Sequence, residues 1–173
     1  MRPQGDKQET GPMPVRALEG RINAALDQDR PFADVIRDVL RLVSEATGLS
    51  TTYLARAHMR EDEQEILYSH NPQDGLFVPE DIKLPWSEGV CSFVHDGRAP
   101  EFTDNVPRDI PESTVARMMG YRSFLSLPVF RHGQFYGTLC GCSARPVKVS
   151  AATLELIRRC ANRIGELLPD DEE

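Results

Sequence analysis

Between Phe124 and Phe130, and again between Phe135 and Cys142, nearly every position is apolar or small, with no inside/outside alternation. That pattern belongs to strands covered on both faces. The intervening Arg131-His132-Gly133-Gln134 centres on a His-Gly pair that can supply positive φ for a two-residue turn. Tyr121–Ser143 is therefore expected to be a central hairpin with one layer on each side. Strict alternation puts Gly137, Leu139 and Gly141 on one face, where the glycines would admit a closely packed terminal helix. It puts Tyr136, Thr138, Cys140 and Cys142 on the other.

Helical periodicity marks the two ends of the chain. Val15, Leu18, Ile22, Ala25 and Leu26 form a stripe over Val15–Asp27. A wider stripe, from Phe32 through Val35, Ile36, Val39, Leu40 and Val43 to Ala46, predicts a deeply buried helix that Pro31 starts and Gly48 ends. Ser150 is expected to cap a last helix over Ala151–Leu168. Leu154, Ile157, Ala161, Ile164 and Leu168 make one seam there; Leu156, Cys160 and Leu167 make a second beside it. The second seam needs a partner, either the helix Val15–Asp27 or the same helix of another subunit.

The middle of the chain is shorter-grained. Leu49–Met59 reads as a strand, Glu61–Glu65 as a charged hairpin tip, and Ile66–His70 as the return strand. A short strand is expected near Ile82–Leu84. Ser87 is the expected cap of a helix over Glu88–His95. Pro100–Thr103 reads as a strand and Asp104–Arg108 as a loop. Asp109 and Glu112 have capping-box spacing ahead of a helix carrying Val115, Met118 and Met119 and closed by Gly120. The sum is an α+β domain: three layers, α/β/α, around a largely antiparallel sheet of five or six strands. Residues 1–14 are expected to be a disordered tail, 15–168 a single domain, and 169–173 an acidic tail.

Composition narrows the function. The formal charge is −7, and Asp170, Asp171, Glu172 and Glu173 supply −4 of it, so the chain lacks the basic footprint of a nucleic-acid binder. No apolar run approaches the ~18 residues of a membrane span, and the N-terminus lacks the apolar core of a secretory signal, so a cytoplasmic protein is expected. Arg98–Arg145 is locally basic, with six Arg against four Asp or Glu, as solvated surface arginines or a site for an anion would make it. The four cysteines, Cys91, Cys140, Cys142 and Cys160, fit no zinc spacing and are expected to be thiols. Cys140 and Cys142, two apart on one strand, lie about 6.5–7 Å apart, at or beyond the limit for a disulfide.

From Leu84 to Leu167 the chain resembles a GAF domain. The likeness is carried by Gly89-Val90-Cys91, Pro100, Asp104, Gly120, Ser123, Leu127-Pro128-Val129, Gly133, Gly137-Thr138-Leu139 and the closing helix. The helix pair and first strand, Leu18–Arg56, match the family's opening. The resemblance implies terminal helices on one face of the sheet and a small-molecule pocket on the other, roofed by the middle helices. It also implies dimerisation through the terminal helices, or docking to a signalling partner. Pocket candidates are Trp86, Cys91, Asp104, Asn105, Arg108, Tyr121, Ser123, Thr138, Cys140 and Cys142. Each has a structural alternative: Asp104 as a turn residue, Trp86 as core, the cysteines as small buried hydrophobes. No metal site is expected, and neither the ligand nor a cofactor is specified. Cys-His attachment of a bilin and the Asn-Lys-Phe-Asp-Glu run of the cyclic-nucleotide branch are both missing from the sequence. Of the four histidines only His95 is expected to face inward.

The alternative function is a thiol switch, or an enzyme like the free methionine-R-sulfoxide reductases, using Cys91. Gly89-Val90-Cys91 resembles that branch's motif, but Asp104–Gly120, where its nucleophile lies, holds no cysteine, so the catalytic pattern is incomplete. The principal expectation is a small-molecule-binding sensory domain that signals through its terminal helices.

Overall fold

The computed structural model describes residues 14–73 and 75–170. The expected N-terminal tail (except Pro14) and the last three acidic residues lie outside the described residues. The elements follow in the order α1 (Val15–Leu26), α2 (Phe32–Thr47), β1 (Thr51–His58), β2 (Glu63–His70), β3 (Lys83–Pro85), a 3₁₀ turn (Trp86–Glu88), α3 (Val90–His95), β4 (Phe102–Thr103), α4 (Val106–Asp109), α5 (Thr114–Met119), β5 (Ser123–Arg131), β6 (Gln134–Ser143) and α6 (Ala151–Leu167). One six-stranded sheet has the order β3-β2-β1-β6-β5-β4, and every pairing in it is antiparallel. The α+β, three-layer expectation holds, with six strands.

The β5–β6 hairpin lies inside the sheet, as its unbroken apolar runs require. His132 and Gly133 take φ of 52° and 77°, both positive, as a tight two-residue turn demands. On one face, Leu125, Leu127, Val129 and Leu139 join the buried stripes of α1, α2 and α6. On the other, Phe124, Cys140 and Cys142 meet Trp86, Val90, Cys91, Phe93 and Tyr121 from the short elements. Two of the three residues in the second seam of α6 are covered by α1 of the same chain: Leu156 and Cys160 share a buried cluster with Leu18 and Ile22, flanked by the Arg159–Glu19 and Arg163–Asp27 ion pairs, while Leu167 is 38% exposed.

Several local expectations are corrected. Val129 pairs with Gly137 but Phe130 with Phe135, so Tyr136 is an extra residue, a bulge. The bulge reverses the alternation beyond it. Tyr136 turns to the terminal-helix face and Phe135 to the other. The sheet glycines do not admit a helix either. A Cβ on Gly137 would run into the carbonyl of Ala55 in β1, and one on Gly141 would sit 2.7 Å from Leu49 Cδ1. The close helix approach is made instead by Gly165 of α6, against the Phe130 carbonyl.

The charged segment expected to be a hairpin tip is half strand. Glu63 and Glu65 alternate with buried Gln64 and Ile66, and the turn shrinks to residues 59–62, with Asp62 at positive φ. Ser87 does not cap a helix; its hydroxyl and amide bond the Asp62 carboxylate, and α3 starts two residues later, with Gly89 as its cap. Asp109 caps nothing, because residues 106–109 already form α4 with Asn105 as cap, and Ser113 caps α5.

Candidate functional site

A cavity of about 440 Å³ opens between the sheet and the short helices. Its floor is Tyr53 on β1 with Gln64 and Ile66 on β2. Its roof is Gly89 and Val90 at the start of α3, with Met118 and Met119 from the end of α5. Val78, Pro79 and Ile82 form one wall. Its volume is within the range of ordinary ligand sites, and its lining is mostly apolar with a few polar groups, Tyr53, Gln64, Glu88, Thr114 and Tyr121. Phe77 and Met118 stand at the mouth, 65% and 80% exposed, large apolar side chains left in water.

The wall is tied down by polar contacts. The Asn71 side chain accepts from the Val78 amide at 2.8 Å and donates to the Val78 carbonyl at 2.9 Å. Glu80 accepts the Ser69 amide at 2.9 Å and pairs with both terminal nitrogens of Arg37, a residue of α2. The Arg37 guanidinium holds the Glu80 carboxyl below its ordinary range. This contact joins the cavity wall to the layer of terminal helices.

Beneath the cavity lies a buried sulfur cluster. Cys91 Sγ is 3.0 Å from Cys140 Sγ. Gln64 Nε2 donates to Cys91 Sγ at 3.2 Å, and Thr138 Oγ1 lies 3.5 Å from the same sulfur. Cys140 also contacts Thr138 Oγ1 at 3.1 Å and Ser126 Oγ at 3.8 Å. Burial alone would push the Cys91 thiol up, but hydrogen bonds with Cys140, Thr138, Ser126 and Gln64 outweigh it and bring it below the usual thiol range. Burial and the neighbouring Cys91 push the Cys140 thiol up. Burial pushes Cys142 up to about 12, although Tyr121 hydrogen-bonds its sulfur. Tyr53 and Tyr121 are likewise raised, by burial first and by the nearby sulfurs second.

The candidate residues divide by place. Of the ten, Tyr121 lines the cavity; Cys91, Thr138, Cys140 and Cys142 form the layer of side chains beneath it. Trp86 is buried beside it, edge-on to Phe135 with ring centroids 5.9 Å apart. Asp104, Asn105 and Arg108 lie beyond β4: Asn105 caps α4, Arg108 pairs with Asp109, and the Asp104 carbonyl accepts from Arg122. Ser123 faces the terminal-helix side, where its hydroxyl donates to the Arg145 carbonyl and accepts from the Val147 amide. His95 is exposed and lies against the Phe135 ring, with centroids 4.2 Å apart. The sequence reading missed Tyr53, Gln64, Ile66 and Val78. Gln64 alone carried a signal, a polar residue at an inward position of a strand.

Comparison with known proteins agrees with this architecture. A family model described as GAF domain matches residues 31–168. Diguanylate cyclase DgcP of Escherichia coli (strain K12) is 26% identical over 149 residues, a match covering 86% of this chain and 43% of that protein. The chain thus spans less than half of that relative. The phycocyanobilin-bound GAF domain from a cyanobacterial phytochrome superposes with a TM-score of 0.70 at 14% identity, over 90% of this chain and 93% of that one. Free methionine-R-sulfoxide reductase from Neisseria meningitidis, in complex with its substrate, gives 0.69 at 16% identity, over 87% and 86%. At these identities the two structures speak for the fold alone.

Proposed function

The chain belongs to the GAF domain family, a sensory and regulatory fold, and from that premise we propose that it binds a small, predominantly apolar molecule in the cavity above Tyr53 and Gln64. The observation that carries this reading is the cavity itself, large enough for a ligand and with two bulky apolar side chains at its mouth. Burying Phe77 and Met118 against a ligand would recover apolar area at roughly 25 cal/mol per Å². The polar groups on the floor and rim would orient the ligand by one or two hydrogen bonds. The reading takes the protein to be cytoplasmic; no helix among the described residues is long and apolar enough to cross a membrane.

The signal would leave through the terminal helices. Glu80, in the segment between the wall residues Pro79 and Ile82, grips Arg37 on α2, and α2 packs on the outer face of β1 and β2. A ligand that moves residues 77–82 therefore acts directly on α2. A protein partner, or a second copy of this chain, would read that movement. The long diguanylate cyclase relative supports a regulatory role beside an enzymatic output rather than catalysis by this domain.

A titration with 8-anilinonaphthalene-1-sulfonate tests the binding. The folded protein should bind the dye saturably at one site. Ile82→Trp, which fills the cavity from a half-exposed wall position, should weaken binding at least tenfold with its thermal midpoint retained. Undiminished binding by that variant, or no saturable binding at all, would contradict the assignment.

A further inference from the structure

We propose that Cys91 and Cys140 are a site of reversible oxidation: a small peroxide converts them to a disulfide that clamps helix α3 to strand β6. The two sulfurs are 3.0 Å apart in the folded protein. A disulfide bond is about 2.0 Å long, so closure needs a movement of about 1 Å. The residues are 49 apart in sequence and belong to different layers, one to helix α3 and one to strand β6 of the sheet. Cys142 and Cys160 are placed differently. Cys142 is engaged by Tyr121, and Cys160 is on α6 in the other core.

The surroundings assign the roles. Cys91 Sγ accepts hydrogen bonds that stabilise a thiolate, from Gln64 and from the Thr138 and Cys140 side. Cys91 is therefore the attacking sulfur. Its route to solvent is the cavity: Gln64 lines the floor and touches the sulfur, and Gly89 and Val90, the residues before Cys91, line the roof. The Cys91 thiolate attacks one peroxide oxygen. The O–O bond breaks, the departing hydroxide takes a proton and leaves as water, and Cys91 becomes a sulfenic acid. Cys140 then attacks the Cys91 sulfur, gives up its thiol proton, and expels the sulfenic oxygen as a second water. Two thiols and one peroxide give one disulfide and two waters, with two electrons passing from sulfur to oxygen. A dithiol reductant reverses the reaction.

The test uses the full chain and hydrogen peroxide. The reduced protein has four thiols. After a stoichiometric dose, the count under denaturing conditions should fall from four to two. The intact mass should drop by two hydrogens, and digestion should yield one cross-linked species joining Cys91 to Cys140. Dithiothreitol should restore all four thiols. Cys142→Ser and Cys160→Ala should still form the link, and Cys91→Ser and Cys140→Ser should not. Four thiols persisting in the wild-type protein, a link between other cysteines, or uptake of oxygen at Cys91 without a link would each overturn the proposal. Mapping the wild-type protein decides the matter even if a cysteine variant fails to fold. The dye titration of reduced protein reads the cavity separately, so failure of one reading is distinguishable from failure of the other.

Discussion

Gly137→Ala is expected to destabilise the domain by about 3 kcal/mol or more, at or beyond the upper end of ordinary overpacking costs. The bulge at Tyr136 rotates the backbone so that a Cβ on Gly137 would point along the sheet, into the carbonyl carbon and oxygen of Ala55. Neither strand can yield: β6 is paired on both sides, to β1 and to β5, and both faces of the sheet are covered. Gly165→Ala gives a useful contrast. Its added Cβ would meet the Phe130 carbonyl just as closely, but Gly165 lies two residues from the end of α6, where the last turn can lift. About 1–2 kcal/mol is expected there. Urea denaturation should show the order Gly137→Ala, then Gly165→Ala, then wild type, from least to most stable. At ~2–4 °C per kcal/mol, the first substitution lowers the midpoint by roughly 10 °C. Equal effects from the two would mean that the bulged backbone relaxes as readily as a helix end.

Alkaline pH should destabilise the protein steeply. Burial pushes Cys142 and Cys160 up to about 12 each. The unfolded chain releases these protons near pH ~8.5, the ordinary thiol value. Above that pH the folded state holds more protons than the unfolded state, so stability falls as pH rises, until the folded thiols themselves ionise near 12. At pH ~10.5 each thiol costs about 2–3 kcal/mol and the pair about 5 kcal/mol, comparable with the whole stability of many domains. The raised Cys140 thiol and the raised Tyr53 and Tyr121 hydroxyls act in the same direction, while the lowered Cys91 thiol opposes them up to the ordinary thiol value. Denaturation under reductant at pH 7.5 and 10.5 should show this loss, and Cys160→Ala should recover about 2–3 kcal/mol of it. A flat profile would mean that the unfolded chain keeps these thiols shielded.

The hairpin and the terminal helices were legible in the sequence because their patterns run long and uninterrupted: nineteen strand positions, a sixteen-residue helix and a seventeen-residue helix. Gly48, Ser150 and the His132-Gly133 turn sit where their local chemistry puts them. The shorter elements were misplaced where local chemistry offered two answers. Ser87 can cap a helix or bond a carboxylate, and Asp62 across the gap decided it. Asp109 has capping-box spacing, but Asn105 and Ser113 form tighter caps on either side. The bulge at Tyr136 left no mark in the sequence, since it depends on how two distant strands register, and it moved Tyr136 to the opposite face. The sulfur cluster was half legible. Alternation brought Cys140 and Cys142 to one face, but only the chain's path over the sheet brings Cys91 within 3.0 Å of Cys140. The polar side chains Asp104, Asn105 and Arg108 do not line the cavity above Tyr53; they lie beyond β4, where Asn105 caps α4, although Val106 and Pro107 of the same stretch line a neighbouring hollow with Tyr121.

A small molecule is expected to occupy the cavity between sheet and short helices. Amide chemical-shift mapping of ¹⁵N-labelled protein with the bound dye tests it most directly. The largest perturbations are predicted at Gln64, Val78, Gly89, Val90 and Tyr121, with smaller ones continuing through Glu80 to Arg37 on α2. Perturbations confined to the outer surface around Arg56, His132 and Gln134, with the cavity residues unmoved, would contradict it.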